Sequence, residues 1–210
     1  MKYLEEWLDE RKVDEVECLV PDMNGIPRGK ILPAQKFTKS VREYGLRLPE
    51  SIFLQTVTGE YPDLDEDDIG SDEDPDIYLR PDADTIRMVP WYSDPTAQVI
   101  HDAYNADGTP VQHSSRYVLK KVLELYDDKG WKPIVAPELE FYLVSVNTDP
   151  DLPLVPPTGR SGRPETGSQA YGIDATNEFD QIFEDVYDYC EKSEIDVDTL
   201  THESGAAQME

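Results

Sequence analysis

Ala136-Pro137-Glu138-Leu139-Glu140-Phe141-Tyr142-Leu143 places two carboxylates two residues apart in an otherwise apolar run, which Ile134-Val135 precedes and Val144 extends. The run predicts a strand over Glu138–Val144. Side chains alternate along a strand, so Glu138 and Glu140 share a face. Two like charges turned toward a core are costly unless something neutralises them. A hard divalent cation with oxygen ligands, magnesium or manganese, meets that need. The same spacing also suits a strand with one wet face, on which both glutamates meet solvent and Leu139 meets the core.

A second stretch of the same kind is His202-Glu203-Ser204-Gly205-Ala206-Ala207-Gln208-Met209-Glu210. Its small residues let the backbone bend tightly and approach a ligand closely. Glu203 and Glu210 can then converge with the first pair, and Glu138, Glu140, Glu203 and Glu210 are the candidate metal ligands. The stretch reads as the opening of a further strand. The expectation is that the chain stops before its site is complete and is inactive alone.

Upstream of both stretches the texture is mostly β. Tyr3, Leu4, Trp7 and Leu8 fall at helical spacing and predict a short helix over residues 2–11. Glu15–Val20 alternates as a half-buried strand, Asn24-Gly25 supplies turn chemistry, and Lys30–Leu32 returns as the second arm of a hairpin. Asp76–Leu79, Thr85–Val89 and Gln98–His101 are further strand candidates, with Pro81–Asp84 as a turn. From residue 114 the pattern changes. Val118, Leu119, Val122, Leu123 and Tyr126 predict a helix capped by Ser114 or Ser115 and stopped at Gly130. A Pro/Gly/Arg-rich loop runs from Asp149 to about Tyr171. A helix carrying Phe179, Ile182, Phe183, Val186 and Tyr187 follows, then a strand over Ile195–Asp198.

Charge excludes several functions. Asp plus Glu number 45 against 19 Lys plus Arg, a formal net charge of -26. Such a surface repels phosphate backbones and anionic lipid, so neither nucleic acid nor a membrane surface is an expected partner. Its use is solubility, with local cation binding as the alternative. The acidic stretch Pro62–Pro75 fails as a calcium loop, because Asp68 stands where glycine is needed and Asp74 where a bidentate glutamate is needed. Cys18 and Cys190 are far apart and match no zinc spacing, so they read as reduced thiols of a cytoplasmic protein. No phosphate-loop or dinucleotide fingerprint is present. Gly159–Gly167 is Gly/Arg-rich and reads either as an anion contact or as a surface loop. His101, His113 and His202 support no nucleophilic triad, and no catalytic or nucleotide-contacting residue is assigned.

The two glutamate stretches, in this order and at this separation, resemble the P-E-x-E-F-[FY]-L and H-E-x-G-x-x-Q-x-E metal segments of the glutamine synthetase family. Asp22–Lys30 resembles the hairpin near the start of that family's N-terminal domain, and Pro81–Thr85 with Val89-Pro90-Trp91 resembles that domain's end. Gly159–Gly167, Ile173-Asp174-Ala175 and Glu178-Phe179-Asp180 are most similar to the γ-glutamyl-polyamine synthetase branch. The resemblance implies an α+β fold: an N-terminal helix over 1–12, a β-grasp domain over 13–108, and over 109–210 the truncated start of a catalytic domain with a curved antiparallel sheet. It implies that Glu140, Glu203 and Glu210 hold one magnesium or manganese ion and that Glu138 helps to hold a second, which bridges the phosphates of ATP. The implied reaction joins glutamate to ammonia or an amine, including polyamines, through γ-glutamyl phosphate. The implied assembly is a homo-oligomeric ring with active sites between subunits. The family's Asp-Gly-Ser-Ser loop, which binds ammonium in the glutamine-forming enzymes, is not seen. Residues Pro49–Glu60 occupy that region, which favours a larger amine. The rival reading is a catalytically inactive fragment that acts at most as an interaction or cation-binding module.

Overall fold

Val16, Cys18 and Val20 are fully buried while their neighbours are not, the two-residue period of a strand with one face in a core. They lie on β1 (Glu15–Pro21), which pairs antiparallel with β2 (Pro27–Pro33). The connection is the expected hairpin turn. Gly25 takes φ 78°, and the buried Asp22 carboxylate accepts from the Asn24 and Ile26 amides at 2.8 and 2.9 Å and from Arg28 Nε at 2.9 Å. Burial pushes the Asp22 carboxyl up, but Arg28 and the two amides more than offset it and hold it below its ordinary value.

The computed structural model describes residues 2–61 and 74–210. The chain divides into two units, Met1–Pro133 and Ile134–Glu210. Most of the acidic stretch read as a failed calcium loop lies outside the described residues. Of its flank, Asp74 accepts from the Ser51 amide and hydroxyl at 3.0 and 2.6 Å.

In the first unit, α1 (Lys2–Arg11), α2 (Ala34–Glu43), β3 (Arg47–Pro49), β4 (Asp76–Pro81), β5 (Arg87–Met88) and β6 (Thr96–Tyr104) join the hairpin. The strand order is β2-β1-β6-β4-β3, with β5 also on β6. β6 runs parallel to β1, Val16 opposite Ala97 and Cys18 opposite Val99, and antiparallel to β4 and β5. Leu4 and Leu8 of α1 and Phe37 of α2 complete the core. Sequence reading missed α2, although Ala34, Phe37 and Val41 carry a helical period. Only three apolar positions on a polar helix make that signal weak.

His101 is fully buried on β6, with Phe37 edge-on at 6.3 Å between ring centroids. Burial holds its imidazole down to about 4. An unfolded chain takes up that proton near the ordinary value of 6.5, so between these limits the unfolded state binds more protons. Stability is therefore whole above about pH 6.5 and falls as pH drops toward 4, by up to on the order of 3 kcal/mol. Chemical denaturation across pH 4.5–7.5 should show this slope, and His101→Leu should flatten it.

α3 (Ser115–Asp127) begins at the expected cap, Ser114. It is fixed by charge rather than by its apolar stripe. Arg116 Nε bonds Asp102 at 2.9 Å and its Nη2 meets Asp82, while Lys120, one turn on, meets both aspartates. Val118, Leu119, Val122 and Leu123, the apolar residues that predict the helix, are exposed. The ion network turns Arg116 and Lys120 inward, and the stripe points where no described residue covers it.

The second unit holds β7 (Phe141–Tyr142), α4 (Ile173–Thr176), α5 (Asp180–Lys192) and β8 (Gln208–Met209). Its core is Phe179, Phe183, Ala207 and Met209, with Phe141, Leu143 and Leu200 against it. The strand expected over Glu138–Val144 is regular only at β7, and the one expected over Ile195–Asp198 forms no regular element. A strand needs a neighbour for its amides and carbonyls. Among the described residues β8 alone pairs with β7. Among the described residues no helix is long and apolar enough to cross a membrane.

Candidate metal centre

Phe141 pairs with Met209 and Tyr142 with Gln208, and the Leu143 amide extends the pairing to the Ala207 carbonyl at 2.9 Å. Continuing this register by one residue sets Glu140 opposite Glu210. The chain before Glu210 also folds back on itself. The Glu203 amide donates to the Gln208 carbonyl at 2.8 Å, His202 bridges Met209, and Thr201 and Glu210 exchange both backbone bonds at 3.0 and 3.1 Å. Ser204–Ala207 is thus the tip of a tight hairpin. The small residues are required there: a Cβ on Gly205 would come within 2.7 Å of the Tyr142 ring and 2.8 Å of Gln208 Oε1.

Alternation then sorts the side chains. His202, Ala207 and Met209 are buried, so Glu203, Gln208 and Glu210 take the other face, which Glu140 and Tyr142 share. Gln208 ties this face together. Its Nε2 donates to Glu140 Oε2 at 2.7 Å and its Oε1 accepts from the Gly205 amide at 2.9 Å.

Glu138 and Glu140 are exposed, and Glu203 and Glu210 are half-buried. Leu139 is exposed too, so neither side of residues 138–140 faces a core. The Glu210 carboxyl is held above its ordinary value by desolvation first, then by the charge of Glu138, a hydrogen bond with Glu203, and the charges of Glu203 and Glu140. All three other candidate ligands therefore act on Glu210. Among the described residues no three such side chains close to the spacing of one ion's coordination shell. The four carboxylates are neighbours that repel, an arrangement a hard cation relieves, and their oxygen-only donor set fits magnesium or manganese.

Behind the carboxylates lies a pair that sequence reading overlooked. His202 is fully buried, and its Nε2 stands 3.6 Å from Oε1 of the buried Glu165. Alone, Glu165 reads as one more acid in a Gly/Arg loop, and no pattern links it to His202. Elsewhere in that loop, Arg160 pairs with Asp180 at 2.8 Å, and the Ser161 amide donates to Glu178 at 2.8 Å. Acids at and just before the start of the following helix, outside the loop, thus occupy these donors. Of the other histidines, His101 is a core residue and His113 pairs with Glu50 at 3.3 Å. Cys18 is buried, its thiol pushed up to about 12 by burial, and Cys190 is free and half-buried.

Residues 112–210 match the model of the glutamine synthetase catalytic domain. Gamma-glutamylputrescine synthetase of Escherichia coli is 30% identical along the whole chain, which covers 43% of that relative. Glutamate–isopropylamine ligase of a Pseudomonas species is 27% identical over 98% of the chain and 44% of its own length. Glutamine synthetase of Pyrococcus abyssi is 29% identical over 93% of the chain and 38% of its own. The chain thus spans less than half the length of these curated relatives. Among solved structures, an ADP complex of GmaS superposes with TM-score 0.68 at 19% identity, covering all of this chain and 43% of that one. Apo GmaS gives TM-score 0.70 at the same identity. The fold likeness therefore runs through both units, and with the catalytic-domain match and full-chain relatives the protein belongs to the glutamine synthetase family.

Proposed function

We propose that the protein is an ATP-dependent carboxylate–amine ligase that forms a γ-glutamyl amide. The γ-carboxylate of glutamate takes the terminal phosphoryl group of ATP, and an amine nitrogen then attacks that carbonyl. The products are the amide, ADP and phosphate. The observation that carries the reading is the face shared by Glu140, Glu203 and Glu210, with Glu138 close enough to act on Glu210. These carboxylates would hold magnesium or manganese, Glu140, Glu203 and Glu210 around one ion and Glu138 toward a second on the ATP phosphates. When bound, the cations supply Lewis-acid charge neutralisation and in-line alignment of phosphoryl transfer. Gln208 holds Glu140 in place, and the Ser204–Ala207 tip keeps the backbone low enough for a phosphate to approach.

An alkylamine or polyamine acceptor is favoured over ammonia. The similarity to γ-glutamylputrescine synthetase and glutamate–isopropylamine ligase supports this, as does the missing Asp-Gly-Ser-Ser loop. We read the sheet of the first unit, with β1 and β6 parallel at its centre, as a β-grasp domain over 13–108. The start of the catalytic-domain match near residue 112 supports a boundary at 108/109. A cytoplasmic homo-oligomeric ring completes the proposal.

The test is ADP release by the polypeptide as its own gene encodes it, with magnesium, glutamate and each of putrescine, isopropylamine and ammonia. Release that needs both glutamate and an alkylamine is expected, and Glu140→Gln should abolish it. Glutamate-independent release, or turnover unchanged by Glu140→Gln, would overturn the reading.

A further inference from the structure

Glu165 is a buried carboxylate, and a buried charge is costly unless each oxygen is met. Its Oε1 accepts from the Thr166 amide at 3.0 Å and from Gln169 Nε2, and it also faces His202 Nε2. His202 Nδ1 lies 2.6 Å from the Glu203 carbonyl oxygen. A carbonyl only accepts, so this nitrogen carries the hydrogen. Nε2 is then a fully buried atom with no hydrogen-bond partner, and Glu165 stands before it. The imidazole is therefore bonded to the Glu203 carbonyl through Nδ1 and packs its other nitrogen against Glu165 without a hydrogen bond.

The main chain makes the same connection. The Tyr171 amide donates to the His202 carbonyl and the Ser168 amide to the Ser204 carbonyl, each at 2.8 Å. These bonds bracket Glu203. Ser168 and Tyr171 both take left-handed backbone, φ 66° and 59°, which is unfavourable for residues with a Cβ. A Cβ on Gly167 would sit 3.3 Å from the Ser204 carbonyl oxygen, so the approach is close. Residues 165–171 thus form a strap behind the hairpin that carries Glu203 and Glu210.

We propose that Glu165 is a positioning residue of the carboxylate centre: through the strap it anchors, it fixes the backbone from which Glu203 projects toward the cation. This rests on the metal reading of the four glutamates. A loop held for stability alone would be served by an apolar side chain. The Glu165 carboxylate instead holds the Thr166 amide and Gln169 within the strap, whose Ser168 and Tyr171 amides hold the Ser204 and His202 carbonyls. Such outer partners of a metal ligand typically change affinity by 10–100-fold when removed.

The experiment is manganese titration of the full chain, followed by loss of the free-ion paramagnetic resonance signal, together with amide hydrogen exchange without metal. Wild type, Glu165→Ala, Glu165→Gln and Glu203→Gln are compared. Glu165→Ala should weaken manganese binding roughly tenfold and speed exchange at Ser168, Tyr171 and Glu203, with the amides of Val16 and Val99 unchanged. Glu165→Gln retains the volume and the bond to Gln169 and should fall between. If Glu165→Ala does not fold, Glu165→Gln decides by the same two readouts. Wild-type affinity and unchanged exchange in the Glu165 variants, with binding lost in Glu203→Gln, would overturn the positioning role and leave the metal reading standing. No manganese binding by wild type would overturn both.

Discussion

Gly29→Ala should unfold the first unit or cost it about 3 kcal/mol or more. Gly29 lies on β2 opposite Leu19 of β1, and a Cβ built there would sit 1.8 Å from the Cys18 carbonyl oxygen and 2.9 Å from its carbon. Both atoms are backbone, so no side chain can swing aside. The two strands would have to separate, and β1 is bonded to β6 on its other edge, with Val16, Cys18 and Val20 filling the core. Gly25 in the same hairpin is the control. Nothing lies within 4 Å of a Cβ there, and only its φ of 78° opposes a side chain. Gly25→Ala should therefore cost about 1 kcal/mol. Denaturant midpoints of the two variants against wild type check the contrast. Equal losses would show that close approach of β1 and β2 is not what Gly29 provides.

Metal should stabilise the second unit, and removing its ligands should abolish that gain. A ligand at a hundred times its Kd adds about 2.7 kcal/mol to folding stability. Manganese should accordingly raise the thermal midpoint of wild type. Glu140→Gln with Glu203→Gln removes a carboxylate from each of the two segments and should erase the rise. The dependence on pH has a definite sign. Desolvation and the neighbouring carboxylates hold Glu210 above its ordinary value, so protons compete with the cation at a higher pH than at an isolated glutamate. The manganese-induced rise should therefore shrink as pH falls from 7.5 toward 5. A rise that persists in the double variant, or that grows on acidification, would place the cation elsewhere.

The hairpin of the first unit was legible because each signal agreed: alternation over Glu15–Val20, Asn24-Gly25 at the turn, and an apolar return at Ile31-Leu32. α1 was legible for the same reason. α2 was not, because a helix with Phe37 as its buried residue has little apolar period to read. α3 was found, but not what holds it in place. Apolar spacing does not reveal that Arg116 and Lys120 would turn toward Asp82 and Asp102.

In the second unit the four candidate ligands were named from composition and spacing, and Glu140, Glu203 and Glu210 do share one face. That face arises from two pairings together, β7 with β8 and 201–203 with 208–210. Neither is visible in either segment alone. The long strand expected over Glu138–Val144 was over-read, since β-propensity describes a side chain's fit to a pleated surface and cannot supply a neighbouring strand. The partnership of Glu165 with His202 crosses 37 residues of chain and follows from the fold alone.

Calorimetric titration of manganese into the wild-type chain, beside the Glu140→Gln, Glu203→Gln double variant, tests the carboxylate centre most directly. The account predicts saturable binding by wild type that the double variant loses. Equal binding by the two proteins, or none by wild type, would contradict it.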